Sequence, residues 1–296
     1  MICDTCFSEK NSRAFSGQRF LRWDPQFLFQ GKPLWYNRLP FNNRAERAVE
    51  IPIALDFLAR QSRSNGCLLE IGNVLQHYEK LPGRLSCLRP RRIIDKFERG
   101  KGVENHDLMD LDSSEKYQTI ISISTIEHIG QQCTPTGEYG EVHGRVDREA
   151  PLKAIAKLYD LLDIGGHALV TVPFGKLTAG GWYIQFSADY MDLLVTQYGI
   201  PQEALGISYL KQVAREKKWA NPRQCWIEAT AEDLREVRYD TFWGGARAIA
   251  VLELTKLPYP FTLNLALPPA ALIYEHSPFI FYLLMLFGRL RKSICP

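Results

Sequence analysis

A series of short apolar segments between residues 67 and 175 constrains the fold of this chain more than any other feature. Segments of this length and composition are typical of strands that are buried on both faces, as in a parallel sheet. The intervening stretches are long enough for helical or loop crossovers, which predicts a doubly wound α/β sheet. The predicted strands are residues 67–72, 92–95, 103–108 (the weakest), 119–124 and 168–173.

The remainder of the chain extends this α/β pattern. Apolar periodicity predicts a helix over residues 152–162, and Gly165-Gly166 predicts a turn before the fifth strand. Pro52 either interrupts a helix that starts near residue 44 or begins a new one. The later predicted elements are helices at 188–198 and 231–237, an edge strand at 207–213 and a last strand at 246–254.

Composition limits the classes of protein that the chain resembles. With 46% hydrophobic and 23% charged residues it is typical of a globular protein, and a net charge of +3 does not indicate a nucleic-acid partner. Seven scattered cysteines favour a reducing compartment. Cys3-x-x-Cys6 resembles half of a zinc site, but no second pair follows at ligand spacing, so we expect no metal. Residues 1–10 have no apolar signal segment, and we expect a cytoplasmic location.

Three residues match what a nucleoside ligand requires of an open α/β sheet. Such ligands bind outside the carboxyl ends of the strands, where the strand order reverses. The loop after the first strand needs glycine for close backbone approach, and Gly72 is there. A carboxylate that ends the second strand can accept both ribose hydroxyls, and Asp95 has this position. Glu70 lies two residues before Gly72.

These segments resemble, in order, the motifs of class I S-adenosylmethionine-dependent methyltransferases. Residues 68–78 are similar to the first motif, 93–98 to the second and 105–111 to the third. Residues 121–130 are similar to the fourth-strand motif, and 161–175 to the Gly-Gly segment and strand that follow. Each motif alone is weak, whereas five in order and at the right spacing are fairly specific. The first motif and residues 43–52 are similar to a subset of uncharacterised bacterial methyltransferase-like proteins.

The resemblance implies a Rossmann-like class I methyltransferase fold, with a mostly parallel seven-stranded sheet and helices on both faces. It implies a domain at residues 65–256, preceded by an extension with covering helices at 1–64 and followed by an apolar and basic tail at 257–296. It also implies S-adenosylmethionine as the methyl donor. The residues that it places at the donor site are Glu70, Gly72, Asn73, Asp95, Lys96, Asp107, Leu108 and Ser124.

Three roles remain open at this point. Asp107 and Asp110 are equally good candidates for the acid near the adenine amino group, since both lie in one polar turn. Glu127 and His128 are the catalytic candidates, with His128 either a general base or a residue that orients the substrate. Glu127 would otherwise contact the charged end of the donor.

Other side chains are candidates for substrate contacts. Arg44 and Arg47 either clamp an acidic substrate or lie on a solvated helix face. His143 lies in a glycine-broken stretch at 134–147 that is typical of an active-site loop. In a second such loop, Trp182, Tyr183 and Phe186 either stack on a substrate or pack internally.

The sequence therefore predicts an enzyme that transfers a methyl group to an oxygen or nitrogen of a small molecule or glycan. The first motif lacks the two further glycines that usually follow, since Asn73, Val74 and Leu75 stand there, which motivates a catalytically inactive binding or scaffold protein as the alternative. A nicotinamide-dependent oxidoreductase is less well supported, because no complete G-x-G-x-x-G turn is present.

The apolar segment at 278–288, followed by Arg289, Arg291 and Lys292, is too short to span a bilayer. It either docks on the core or a second subunit, or contacts the inner membrane face peripherally.

Overall fold

The computed structural model describes residues 23–38, 45–61, 67–78, 91–132, 140, 146–218, 221–239 and 245–276. The helices are α1 (Arg47–Gln61), α2 (Ala150–Leu161), α3 (Ala188–Thr196) and α4 (Ala231–Leu234). The strands are β1 (Gln26–Phe29), β2 (Lys32–Trp35), β3 (Leu68–Ile71), β4 (Arg91–Ile94), β5 (Val103–Glu104), β6 (Tyr117–Ile123), β7 (Leu162–Pro173), β8 (Thr178–Ala179), β9 (Ile184–Gln185), β10 (Leu205–Arg215), β11 (Gln224–Ala229), β12 (Ala248–Thr255) and β13 (Glu275–His276).

Eight strands form the central sheet, in the order β5-β4-β3-β6-β7-β12-β10-β11. Strands β3 to β7 are parallel, and β12 is inserted antiparallel between β7 and β10. The order reverses between β3 and β6, which creates the switch point where α/β sheets bind ligands. This strand order, with an antiparallel last strand inside the sheet, confirms the predicted class I methyltransferase fold.

The predicted edge strand at 207–213 is wrong in its position, since β10 lies inside the sheet and the edge is β11, an eighth strand. The reason is local, because most residues of β10 are half-buried and three are buried, so the strand resembles an edge strand in its pattern. The third strand is also shorter than predicted, since β5 has two residues and a short 3₁₀ helix, Leu108–Asp110, follows.

Helices cover both faces of the sheet, as predicted. Buried residues of α2 and α3, including Tyr159 and Tyr190, pack on one face. Those of α1 pack on the other face together with the β1-β2 hairpin and Trp226. Burial of these apolar side chains supplies the main stabilisation of both layers.

Pro52 lies inside the single helix α1 and does not divide it. Proline has no N–H to donate to the carbonyl four residues earlier. That carbonyl, of Ala48, instead accepts a hydrogen bond from the backbone N–H of Asn37 at 2.8 Å. The prediction that Pro52 interrupts or begins a helix is therefore wrong, because a neighbouring segment satisfies the group that proline leaves unpaired.

Gly165-Gly166 forms a bulge within β7 and not the predicted turn ahead of it. Tyr117 pairs with Leu162 and Thr119 with His167, so four residues of β7 loop out between these pairs. Gly165 has a φ of +76°, which favours glycine.

The segment from 257 to 276 runs along the domain, where Leu257, Phe261 and Leu263 pack against the core that contains α2. Its end, β13, pairs parallel with β8. No helix among the described residues is long and apolar enough to cross a membrane. The apolar stretch at 278–288, Cys3 and Cys6 lie outside the described residues.

Candidate active site

The carboxyl ends of β3, β4 and β6 bring the predicted site residues to one edge of the sheet. Gly72 follows β3, Asp95 follows β4, and Ser124 follows β6. Because parallel neighbours end at the same edge, the switch point between β3 and β6 opens among these residues.

Glu70 builds the loop after β3. Its Oε1 accepts hydrogen bonds from the backbone N–H groups of Val74 at 3.0 Å and Leu75 at 2.7 Å. Its Oε2 lies 3.2 Å from Nε of Arg91, and both side chains are buried. The carboxylate therefore accepts hydrogen bonds from two loop amides and pairs with Arg91. This structural role differs from the contact with the methyl donor that the sequence predicted for Glu70.

Gly72 is required for close packing of two loops. Its φ is +82°, and a Cβ there would lie 2.2 Å from Oγ1 of Thr125, the residue that follows Ser124. Any side chain at position 72 would therefore separate the loop after β3 from the end of β6.

Asn73 lies in the stretch after Gly72 where the resembling family usually has two further glycines. Its Nδ2 donates to Oε1 of Gln76 and to Oε1 of Glu98, each at 2.7 Å, and so joins the loops after β3 and β4. Its Oδ1 is buried and has no hydrogen-bonding partner within the described residues. A buried acceptor without a donor is costly, and a ligand that donates a hydrogen bond would remove this cost.

Asp95 ends β4 in a tight turn. Its Oδ1 accepts from the backbone N–H groups of Phe97 at 2.9 Å and Glu98 at 2.7 Å. Oδ2 makes no hydrogen bond or ion pair within the described part of the chain. The side chain is half-buried, so one carboxylate oxygen holds the turn and the other is available to a ligand hydroxyl.

Lys96 and Asp107 contact each other, with Nζ of Lys96 2.9 Å from Oδ2 of Asp107. The other oxygen, Oδ1, caps the following 3₁₀ helix by accepting from the N–H of Met109. Leu108 is buried in the core, and Asp110 is exposed. Between the two acids that the sequence left open, only Asp107 is fixed by neighbouring side chains and backbone in the described structure.

Ser124 joins β6 to the start of α1. Its Oγ donates to Oε1 of Glu50 at 2.6 Å, and its φ of +39° is unusual for a residue other than glycine. The other oxygen of Glu50 accepts from Nη1 of Arg47 at 2.6 Å. Arg47 therefore does not lie on a solvated helix face, and Arg44 is outside the described residues.

His128 is held in place by Trp182. Its Nδ1 lies 2.8 Å from the carbonyl oxygen of Trp182, and the two rings stack with centroids 5.0 Å apart. Because a carbonyl only accepts, Nδ1 carries the proton and Nε2 is the basic nitrogen in the neutral ring. Burial lowers the pKa of His128 to about 4, so the ring is neutral at pH 7 and a weak base.

Glu127 has the opposite shift. Burial raises the pKa of its carboxyl well above the usual range, and the carboxylates of Glu50 and Glu46 raise it further, while Arg47 opposes them. Its Oε1 lies 3.7 Å from Nε2 of His128. Its Oε2 is buried without a hydrogen-bonding partner among the described residues.

Glu46, Glu50 and Glu127 form what we call the acidic cluster, at the point where α1 begins and β6 ends. Glu46 accepts from the backbone N–H of Ala246 at 2.8 Å, and burial together with Glu50 raises its pKa to about 7. Sequence motifs identified neither Glu46 nor Glu50, because they precede β3 and reach the site only through the packing of α1.

Trp182, Tyr183 and Tyr239 form the adjoining aromatic cluster. The Tyr183 and Tyr239 rings are 4.5 Å apart, and those of Trp182 and Tyr183 are 4.9 Å apart. Burial and the charges of Glu46 and Glu127 raise the pKa of Tyr239, which places it beside the acidic cluster. Phe186 packs instead against Tyr190 in the core, and His143 is outside the described residues.

The residues that the structure describes contain no group of three or more histidine, cysteine, aspartate or glutamate side chains arranged to hold a metal ion. No protein-family model matches the chain, and no curated protein matches its sequence.

Solved structures with a similar arrangement include N-methyltransferase NodS from Bradyrhizobium japonicum WM9 in complex with S-adenosyl-L-homocysteine. The two are 13% identical with a TM-score of 0.37, over 70% of this chain and 85% of that one. Burkholderia thailandensis 1,6-didemethyltoxoflavin-N1-methyltransferase is 11% identical with a TM-score of 0.39, over 79% and 99%. TehB from Haemophilus influenzae is 10% identical with a TM-score of 0.40, over 72% and 67%. On the strand order of its own sheet, the chain has the class I methyltransferase fold.

Proposed function

We propose that this protein is an S-adenosylmethionine-dependent methyltransferase that acts on a nitrogen or oxygen of a small molecule or glycan. The observation that carries the proposal is the meeting of Gly72, Asp95 and the end of β6 at the switch point of this sheet. In this fold the nucleoside end of the donor binds at that edge.

The donor fits the side chains that are present. Asp95 keeps one carboxylate oxygen for the ribose hydroxyls while the other holds the turn. The buried Oδ1 of Asn73 finds no donor among the residues that the structure describes, and a ligand amino or hydroxyl group would satisfy it. When bound, S-adenosylmethionine supplies an electrophilic methyl group. The chain's own residues bind and orient the two reactants and exclude water, which is often enough for methyl transfer.

Calorimetric titration with S-adenosylhomocysteine tests this proposal, with Asp95→Asn as the variant. Asparagine keeps an oxygen that can accept from Phe97 and Glu98 but loses the charge that holds ribose hydroxyls. We expect saturable binding to the unsubstituted chain and about tenfold weaker binding to Asp95→Asn, equivalent to ~1.4 kcal/mol.

The matched control is Asp112→Asn, because Oδ1 of Asp112 holds the same kind of turn through the N–H of Ser114. The control should bind as the unsubstituted chain does. The absence of both heat and thermal shift at millimolar ligand would contradict the proposal.

A binding or scaffold protein without catalysis is the second candidate. This candidate is favoured by the loop after β3, because the Val74 and Leu75 amides there already donate hydrogen bonds to Glu70. A methylated product that disappears in Asp95→Ala would eliminate this candidate.

A further inference from the structure

The acidic cluster holds three carboxyl groups, and among the described residues around it one cation pairs with them. Arg47 is the cation within it, and its guanidinium is committed to Glu50 at 2.6 Å. Glu50 is also held by Ser124, and Glu46 by the N–H of Ala246. His128 is neutral at pH 7 and adds no charge.

Glu127 is the member whose requirements the chain leaves unmet. It is 4% exposed, and its Oε2 has no hydrogen-bonding partner among the described residues. Leaving a carboxyl oxygen buried and unpaired is unfavourable by roughly 1–3 kcal/mol or more, so such an atom indicates a missing partner. The partner has to donate a hydrogen bond whenever Glu127 is ionised, because an ionised carboxylate only accepts.

The aromatic cluster contacts the residue next to this carboxyl. Trp182 stacks on His128, which follows Glu127 in the chain, and the Tyr239 ring lies 6.3 Å from that of Trp182. Burial raises the pKa of Tyr239, and the charge of Glu127 also raises it. The faces of tryptophan and tyrosine attract cations, by roughly 0.5–2 kcal/mol. His128 keeps 28% of its side chain exposed and Arg47 keeps 16%, so a ligand can reach the site.

Carboxylates beside aromatic rings favour a cation over the other acceptor classes. An anionic acceptor would be repelled by any of these carboxyl groups that is ionised. A neutral hydroxyl could donate to Glu127 but would supply no charge to balance the carboxylate when it ionises. A protonated amine supplies both the hydrogen bond and the charge.

The acidic cluster also lies next to the edge of the sheet where the methyl donor is proposed to bind, between the ends of β3, β4 and β6, which we call the donor edge. The site where a Cβ of Gly72 would stand is 2.2 Å from Oγ1 of Thr125, and Glu127 comes two residues after Thr125. A group bound at Glu127 is therefore on the β6 side of the loop that the donor is proposed to contact.

We infer that the methyl acceptor is a small primary or secondary amine, bound as its ammonium form between the acidic cluster and the aromatic cluster. The inference rests on the proposed function and deepens it. Glu127 is the residue that contacts the reacting nitrogen, and Trp182 and Tyr239 flank the rest of the substrate.

The reaction requires one proton transfer on the enzyme. An ammonium nitrogen has no free electron pair, so it first gives one proton to the Glu127 carboxylate, which burial makes a stronger base than an exposed one. The nitrogen pair then forms the bond to the methyl carbon of the sulfonium donor. The carbon–sulfur bond breaks and leaves its pair on sulfur as a neutral thioether. The methylated amine departs as a cation, and Glu127 keeps the proton, which it releases to water when the next ammonium binds.

Binding selectivity tests the inference without relying on turnover. The full chain, with and without saturating S-adenosylhomocysteine, is titrated calorimetrically with 2-phenylethylamine, 2-phenylethanol and phenylacetate. These probes share a ring and differ in charge. We expect the amine to bind at least about tenfold more tightly than the other two, and to release protons at pH 7 because Glu127 must ionise.

The test variant is Glu127→Gln, and the matched control is Glu253→Gln. Glu253 is a half-buried carboxylate on β12 that pairs with Arg60. Arg60 lies about 15 Å along α1 from Glu50, at 1.5 Å per residue. Glu127→Gln should lose the preference for the amine and the proton release, while Glu253→Gln keeps both. Circular dichroism of each variant confirms that it is folded.

Three results would overturn the inference: no amine binding at millimolar concentration, equal binding of the alcohol or the acid, or an unchanged preference in Glu127→Gln. Failure of the proposed function looks different. In that case S-adenosylhomocysteine would not bind, and the amine preference would persist in its absence.

Discussion

The two halves of the candidate site differ in how their polar groups are satisfied. At the donor edge, Glu70, Asp95 and Asp107 each accept from backbone N–H groups, and Glu70 and Asp107 also pair with cations. In the acidic cluster, Glu127 has a buried oxygen with no hydrogen-bonding partner in the described part of the chain, and the pKa values of Glu46 and Glu127 are raised. The carboxylates at the proposed donor edge are therefore held by the chain's own contacts, although Oδ1 of Asn73 there has no partner among the described residues. For the acidic cluster we infer a cation from outside.

Gly72→Ala breaks the contact that joins the two halves, and we expect the largest effect from it. A left-handed φ costs roughly 1–2 kcal/mol for alanine, and the overlap with Thr125 adds roughly 1–3 kcal/mol. The free energy of unfolding in denaturant should fall by about 3 kcal/mol.

Gly102→Ala separates the two costs, because Gly102 has a φ of +77° but no atom within 4 Å of its Cβ position. The free energy of unfolding of Gly102→Ala should fall by only about 1 kcal/mol. Adding Thr125→Ala to Gly72→Ala should recover about 1 kcal/mol by removing the overlapping atoms. Equal losses in the two glycine variants would show that the loops are not in contact.

His128→Asn tests the comparison through the pH dependence of stability at acid pH. In the unfolded chain histidine takes up a proton near pH 6.5, whereas folded His128 does so only near pH 4. The unfolded state binds more protons in that window, so stability is lost as the pH falls from 6.5 through 4. Asparagine can still donate to the Trp182 carbonyl but does not titrate.

Between pH 6.5 and pH 4, the free energy of unfolding of His128→Asn should fall by about 2 kcal/mol less than that of the unsubstituted chain. Denaturant midpoints at several pH values measure this difference. Identical pH slopes for the two chains would mean that His128 is not held neutral by its surroundings.

Glu127→Gln tests the acidic cluster directly and has the smallest expected effect on stability. Because the folded pKa of Glu127 is raised, the native state binds more protons than the unfolded state above pH 4.5. Stability therefore falls as the pH rises through the folded pKa, and glutamine removes this loss. The melting temperature should rise by about 2–4 °C at pH 8, the effect of ~1 kcal/mol, and change little at pH 5. A gain of the same size at both pH values would contradict a raised pKa.

The sequence predicted that Gly72 and Asp95 meet at one edge of the sheet, but it did not predict the acidic cluster, and the reason is chain distance. Gly72 and Asp95 end consecutive predicted strands, so local patterns place them at one edge of the sheet. Glu50 meets Ser124 across 74 positions of the chain, through the packing of α1 on the sheet, and no local pattern encodes that contact.

The fold was also predictable only where its elements are regular. Buried strands such as β6 and β7 show as apolar runs, while the bulge at Gly165 and the continuity of α1 through Pro52 depend on partners elsewhere in the chain. The role of Glu70 in holding Val74 and Leu75 is a loop geometry that a motif cannot specify.

Binding of S-adenosylhomocysteine to the unsubstituted chain, Asp95→Asn and Glu127→Gln tests the division of the site most directly. We predict saturable binding to the unsubstituted chain, about tenfold weaker binding to Asp95→Asn, and affinity within about twofold of the unsubstituted value for Glu127→Gln. No binding to the unsubstituted chain, or an equal loss in both variants, would contradict a donor edge that is separate from the acidic cluster.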